Sequence, residues 1–393
     1  MSKRKPPATK RKAPRSNRAG SRPPAGDAGE RSERGSLEGL RRAIDEIDAN
    51  IQALIAARAR CAKEIGVLKG LTATADFYRP EREAQVLRNV IERNEGPLRD
   101  EEMVRLFREL MSACLAQEEA LKVAYLGPEG TFTQSAVLKH FGHSVHALSV
   151  PTIDEVFHEV EAGTADFGVA PVENSSEGTV NIHTLDMFLT SPLKVCGEIE
   201  LRIHQHLMGK MADLRDVRRV CSHPQSLAQC RAWLAEHLPS VETIPVASNA
   251  EGARRARDED GTAALAGEAA ALVYGLKILF RDVEDQADNT TRFVVVGRKL
   301  FPPSGNDKTS VLLSASGTEG PGVLLHLLGP LARHGVNMTR IESRPSRRRK
   351  WDYVFFVDLD GHAEDPPIKK ALEEVKTKAT LFKVLGAYPK AVV

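Results

Sequence analysis

Between Ser36 and Lys69 no proline interrupts a run in which Leu40, Ile44, Ile47, Ile51, Leu54 and Ile55 recur at helical spacing. With Ser36 as N-cap, the run predicts a single helix about 50 Å long at ~1.5 Å per residue. That is long for a chain of 393 residues. Its apolar stripe needs partner helices, a second copy of the chain among them. Two further helices are expected at about 80–95 and 99–119, separated by Gly96 and Pro97. Residues 36–120 therefore read as an all-helical segment.

Charge divides the chain differently. Residues 1–35 carry eleven Lys/Arg against three Asp/Glu and almost no large apolar side chain. Such a segment cannot offset its ordering entropy and is expected to be a disordered basic tail. The total of +2 thus hides a body of net charge −6, which does not point to nucleic acid as a partner of the body. No apolar run approaches the ~18 residues that span a bilayer, and the first residues lack the apolar stretch of a secretion signal. Five cysteines without a C-x-x-C pair argue for reduced thiols. The expectation is a cytoplasmic protein with no membrane or nucleic-acid partner and no metal site.

At Lys122 the period changes. Val123–Leu126, Phe167–Val172, Val217–Ser222, Ala263–Ala266 and Arg292–Val296 read as strands separated by helical stretches, which argues for an α/β segment over 121–299. Pro302, Pro303 and Gly305 mark a linker at 300–307. Residues 308–390 then follow the order βαββαβ, an α+β ferredoxin-like arrangement.

Three sets of residues carry chemistry. In the long helix Arg58 and Lys69 lie eleven positions apart, about three turns and so on nearly one face, where their heads could meet one small anion. Arg41 sits about 25 Å along the axis from Arg58 on another face, and could join the site of an antiparallel partner. In the α/β segment Gly127–Phe132 and Ser222–Cys230 each lead from a strand into a helix. Helix N-termini suit carboxylates, and two facing one cleft would receive a dicarboxylic acid. Taken singly, Ser222 reads better as a helix cap, Thr131 as a loop stabiliser and His223 as a core residue. With Glu173, Asn174, Ser175, Thr291 and Arg292 they form a candidate site. In the last segment Gly322 precedes a helix and Glu342–Pro345 ends a strand.

These residues resemble known families. Leu40–Asp48, Arg58, Gly66–Lys69 and Pro80–Glu83 are similar to the all-helical chorismate mutase domain, an intertwined dimer. The resemblance implies that Arg41, Arg58 and Arg82 bind substrate carboxylates, that Lys69 meets the ether oxygen, and that Glu83 holds the substrate hydroxyl. Arg79 stands where an acidic residue is common and Cys114 replaces a serine. Glu118 replaces a glutamine that donates to the ether oxygen, and a carboxyl donates only when protonated. Gly127–Phe132, Pro171–Gly178, Ser222–Cys230 and Thr291–Phe293 resemble prephenate dehydratase. That implies a two-lobed α/β domain, like a periplasmic-type binding protein, with the site in the interlobe cleft and no cofactor.

In that family Thr291 matches the threonine implicated in the reaction. By chemistry it relays or orients a proton, and Glu173 is the alternative acid. Arg292 either clamps a carboxylate or positions its loop, while Asn174, Ser175, Ser222, Gln225, Gln229 and Thr131 orient the substrate. Gly322, Val323, Leu324 and Leu325, with Glu342, Ser343, Arg344 and Pro345, resemble the two phenylalanine-binding motifs of the ACT domain. The three sets come in the order of bifunctional chorismate mutase–prephenate dehydratases. The implied partners are chorismate, prephenate and phenylalanine, with a homodimer or higher homo-oligomer. An arogenate dehydratase and a non-catalytic aromatic-acid sensor are the competing readings.

Overall fold

Ser36 Oγ accepts the Gly39 amide at 3.0 Å and opens α1 (Leu37–Leu68). The computed structural model describes residues 36–68, 78–117, 120–175, 182–314, 321–346 and 353–392. The expected tail, Lys69, Glu118 and residues 176–178 of the Pro171–Gly178 motif lie outside them. Two compact units are distinguished, one ending at Arg60 and one beginning at Cys61. In the first, the apolar stripe of α1 is exposed: Leu40, Ile44, Ile47, Ile51 and Leu54 all face solvent.

The second unit begins with the end of α1 and a helical pair. Pro80 occupies the first turn of α2 (Pro80–Glu92), where its missing N–H costs nothing. In α3 (Asp100–Leu115) the Glu102 carboxylate accepts the Arg99 amide at 3.2 Å. The two helices pack together and bury Leu87 and Val104.

An α/β region in two lobes follows. The first lobe is laid down as β1 (Lys122–Leu126), α4 (Phe132–Phe141), β2 (His146–Val150), α5 (Ile153–Ala162), β3 (Phe167–Asn174), α6 (Ile182–Met187) and β4 (Lys194–Arg202). The chain crosses at 203–205 into the second lobe. That lobe holds β5 (His206–Gly209), β6 (Arg219–Ser222), α7 (Pro224–Gln229), α8 (Arg231–His237), β7 (Glu242–Pro245), α9 (Asn249–Asp258), β8 (Thr262–Ala266), α10 (Glu268–Tyr274) and β9 (Lys277–Phe280). It returns at 281–289 into β10 (Thr290–Gly297). The sheets run β2-β1-β3-β10-β4 and β7-β6-β8-β5-β9. In the first, β1 is parallel to β2 and β3, and the returning β10 is antiparallel to both its neighbours. The expected start of β6 at Val217 moves to Arg219 because Leu214–Asp216 form a short 3₁₀ turn capped by Asp213.

The last region is β11 (Asp307–Ser314), α11 (Val323–Arg333), β12 (Met338–Pro345), β13 (Tyr353–Asp360), α12 (Pro366–Lys378) and β14 (Leu381–Pro389). Its four-stranded sheet, β12-β13-β11-β14, is antiparallel throughout, and the βαββαβ order matches the sequence reading. This sheet packs on the first lobe. One hydrophobic cluster contains Val195 and Val294 from the lobe and Leu312, Phe356 and Leu385 from the last region. Gly386 permits the approach, since a Cβ there would lie 2.1 Å from the Val195 carbonyl oxygen.

Candidate active site in the interlobe cleft

The two crossings leave a cavity of about 630 Å³ between the lobes, lined from both sides. Its floor is the junction of β3 and β10, where Asn174 and Thr291 are directly paired across the sheet. Successive strand side chains point to opposite faces, and these two point into the cavity. Asn174 Nδ2 donates to Thr291 Oγ1 at 2.9 Å and to Asn289 Oδ1 at 2.7 Å. Because the threonine oxygen accepts from the amide, its own hydrogen can be given elsewhere. Asn289 Nδ2 is buried without a hydrogen-bond partner. An orphaned buried donor is costly, and Asn289 is among the residues lining the cavity.

Helix ends supply the rest. Thr131 caps α4, accepting the Gln134 amide at 3.4 Å and donating to the Leu126 carbonyl at 3.3 Å. From the second lobe His223 Nδ1 accepts the Gln225 amide at the start of α7, and Ser248 caps α9. The Asn249 amide bonds Ser226 Oγ at 2.9 Å and Gln205 Oε1 at 3.4 Å, and Gln205 Nε2 reaches Gln229 Oε1 at 3.5 Å. No described residue lining the cavity is Lys, Arg, Asp or Glu. An acid bound here meets amides, hydroxyls and helix N-termini, a neutral set suited to oxygen-rich anions.

Thr291, Asn174, Thr131, Gln225 and Gln229 thus come together as expected from the sequence. Four other residues do not. Ser222 is fully buried and donates to the Leu265 carbonyl at 2.6 Å, which holds β6 against β8. Ser175 lies beyond the end of β3, where its hydroxyl accepts the Thr290 amide at 2.9 Å and braces the loop. Glu173 and Arg292 each precede or follow a cleft residue on a strand, so alternation turns them to the opposite face. There Arg292 donates to Glu198 Oε2 at 2.9 Å, to Asp358 Oδ2 at 2.7 Å and to the Tyr388 hydroxyl at 3.0 Å. Glu173 pairs with Arg340 at 3.1 Å. Both are engaged on the face away from the cleft. Asn249 and Gln205 were not singled out by sequence. Asn289 adjoins the Thr291 motif, but an Asn after Ser248 and a Gln in a crossing carry no local signature.

One described cluster has metal-ligand composition. His204, Asp282 and Glu284 bring ligand atoms within 4.8 Å of one another on the two crossings. His204 Nδ1 is already 2.8 Å from Glu284 Oε1 and 3.2 Å from Asp282 Oδ1. The group acts as a clasp between the crossings and lies outside the cavity lining.

In the helical region Arg41 and Arg58 belong to the first unit. Arg82 is exposed, and its guanidinium reaches Gln85 at 3.5 Å. Glu83 lies 3.7 Å from Arg108 in a small cavity also lined by Tyr78, Leu87 and His140. Burial pushes its carboxyl up to about 7, against the opposing Arg108. In the last region Gly322 has φ +87 and caps α11, a conformation that favours glycine. Val323–Leu325 form the first turn, with Leu325 exposed. Glu342, Ser343, Arg344 and Pro345 end the edge strand β12. Glu342 pairs with Arg340, and Arg344 lies 3.5 Å from Asp186 on α6.

Three family models match in order: chorismate mutase type II over residues 40–119, prephenate dehydratase over 123–300 and the ACT domain over 311–377. A bifunctional chorismate mutase/prephenate dehydratase of Stutzerimonas stutzeri is 53% identical over 366 residues, covering 92% of this chain and 100% of that one. This chain belongs to the bifunctional chorismate mutase/prephenate dehydratase family. The solved prephenate dehydratase of Arthrobacter aurescens in complex with L-Phe is similar over 70% of this chain and 93% of its own, at 34% identity and TM-score 0.64. A chain described as a novel type of quorum-quenching acylase aligns over 69% of this chain and 98% of its own, at 31% identity and TM-score 0.63. The cleft described above is therefore that of the prephenate dehydratase domain, and the region from Asp307 onward contains the ACT domain. No described helix is long and apolar enough to cross a membrane.

Proposed function

We propose that the chain catalyses two successive steps, chorismate to prephenate in the helical domain and prephenate to phenylpyruvate, carbon dioxide and water in the interlobe cleft. The observation that carries the second step is the Asn174–Thr291–Asn289 cluster with its unpartnered amide donor. Prephenate must lose its ring hydroxyl and ring carboxylate together, and hydroxide is a poor leaving group. Thr291, held as an acceptor by Asn174, presents its hydrogen to the departing oxygen. The proton passed along that bond leaves with the oxygen as water, and a solvent water returns one to the Thr291 oxygen, so Thr291 relays the single proton that the reaction consumes. The electrons of the breaking ring–carboxylate bond then complete the aromatic ring as carbon dioxide departs. The Asn289 amide and the helix ends at Thr131 and Gln225 hold the carboxylates, and Gln229 orients the ring. No cofactor takes part in this scheme.

In the mutase step chorismate needs to be held folded, with donors on the ether oxygen as its bond breaks. Arg41, Arg58 and Arg82 serve the carboxylates, Lys69 and a protonated Glu118 the ether oxygen, and Glu83 the hydroxyl. The exposed apolar stripe of α1 supports a homodimer in which Arg41 completes the partner's site. Phenylalanine, the ligand of the Arthrobacter aurescens relative, is the inhibitor, bound by Gly322–Leu325 and Glu342–Pro345. Reduced cysteines, none of them in a disulfide, fit an enzyme of the cytoplasm.

Purified protein is to be given chorismate, prephenate and arogenate in turn, with and without phenylalanine. The expected result is chorismate loss, phenylpyruvate formation from prephenate and its suppression by phenylalanine. Turnover of arogenate in preference to prephenate would replace the dehydratase assignment. Binding without turnover would make the chain a sensor.

A further inference from the structure

The two cleft residues Asn174 and Thr291 each have a strand neighbour facing the other way, and both neighbours are gripped by the ACT domain. Arg292 places its guanidinium between Glu198 of β4, Asp358 of β13 and Tyr388 of β14. Asp358 is held in turn by Ser310 Oγ at 2.5 Å, and Ser310 meets the Tyr388 hydroxyl at 2.8 Å. Glu173 pairs with Arg340 at 3.1 Å and with Arg292 at 3.7 Å. Arg292, Asp358 and Arg340 are largely buried, at 12%, 7% and 13% exposed, and Glu173 is 37% exposed. Buried charges persist only when paired, and removing one partner strands the other. Burial raises the Asp358 carboxyl, but Arg292 and the Ser310 hydroxyl outweigh it and hold it below the usual range.

The strand junction beneath the cleft is itself irregular. The register between β3 and β10 shifts between Arg292 and Phe293, one residue past Thr291. A bulge re-aims the side chains beside it, while on the other edge of β10 Thr291 keeps a regular register with Leu201 of β4. On this side of the sheet the ion pairs to the ACT domain add to the apolar packing of Val172 and Val294 against Leu312 and Phe356.

We propose that Arg340 and Asp358 of the ACT domain are positioning residues for the dehydratase cleft, aligning Asn174 and Thr291 from behind through Glu173 and Arg292. The inference rests on the assignment of prephenate dehydration to this cleft. It also supplies a route for regulation. Arg340 pairs with Glu342 as well as with Glu173, and Glu342 opens one of the two expected phenylalanine motifs. A ligand that engages Glu342 redistributes Arg340 and so reaches the strand carrying Asn174. A ligand shifts such an equilibrium only through its different affinity for the two arrangements.

The test uses the full chain carrying Arg340→Gln, Arg340→Lys or Asp358→Asn, the last nearly isosteric and chosen to fold. Misplacing a reacting group by about 1 Å can cost up to ~10²-fold. The expected result is a fall of about tenfold or more in prephenate kcat for Arg340→Gln and Asp358→Asn, with KM within about twofold. Arg340→Lys should recover most of the loss, and chorismate turnover should stay unchanged in all three. Equal loss of both activities would reduce the two residues to general structural support and overturn the proposal. So would wild-type prephenate kinetics in both Arg340→Gln and Asp358→Asn. If the unmodified chain fails to turn over prephenate, the dehydratase reading itself falls, which separates that failure from this one.

Discussion

The dehydratase cleft and the helical mutase segment differ in how much of a site one chain supplies. Around the cleft a single chain provides both walls, the paired floor of Asn174 and Thr291 and the helix ends. In the helical segment the apolar residues of α1 are exposed, and the basic residues expected to bind one small acid are strung along a long helix. A two-lobed α/β fold makes a concave surface by crossing twice between sheets, so its site is intramolecular by construction. A single long helix has no concave side, and its chemistry must be completed by other helices.

The sharpest way to break this contrast is to remove one group from the self-contained site. Thr291→Ala is expected to lower phenylpyruvate formation by about 10²-fold or more, the scale of lost acid–base or oxyanion groups. Chorismate consumption should remain at the wild-type rate, because Thr291 lies in another domain. Asn289→Ala, which deletes the unpartnered donor, should cost about tenfold in kcat/KM. Continuous assays of both reactions on the same preparations decide it. Parallel loss of both activities would mean that the two sites are not independent.

The next test addresses the incomplete site. Arg41→Ala and Arg58→Ala should each be nearly inactive as a mutase. Mixed in equal amounts with exchange of subunits, they should recover about a quarter of wild-type activity, since half the dimers are mixed and each restores one of two sites. Light scattering and a tagged subunit establish exchange. Exchange without recovery would place Arg41 and Arg58 in the same chain's site and remove the contrast.

What the sequence disclosed follows the same division. Hydrophobic period located the helices, the α/β alternation and the βαββαβ order because each depends on which face a residue buries. Thr291 and Asn174 were readable from their motifs. Glu173 and Arg292 were grouped with the cleft because a run of polar residues in a strand looks like one site, whereas alternation sends its members to opposite faces, which favours the positioning alternative for Arg292. Their true partners, Arg340, Asp358 and Tyr388, come from a different domain, and local pattern carries no information about that contact. Ser222 stayed ambiguous for a related reason. A serine at a strand end is equally suited to a cleft or to the Leu265 carbonyl beside it, and only the sheet order decides.

The smallest expected effect concerns Glu83, which the mutase reading gives to substrate and which lies here against Arg108. Burial raises its carboxyl from 4.5 to about 7, with Arg108 opposing. The folded protein therefore holds this proton more tightly than the unfolded chain does between those values. Its contribution to stability is complete below about pH 4.5 and is lost as pH rises to about 7. Glu83→Gln keeps the shape and cannot ionise. Its unfolding free energy should therefore gain on wild type by up to about 3 kcal/mol across that window. Urea titrations of both proteins between about pH 4.5 and 7.5 measure the difference. A gap that widens with pH means that Glu83 stays enclosed with Arg108, so the helical pair α2–α3 keeps it from solvent. A gap that does not change with pH means that Glu83 is solvated in the assembled protein. It would then face an open mutase site, and the helical segment would be as complete a binding surface as the cleft.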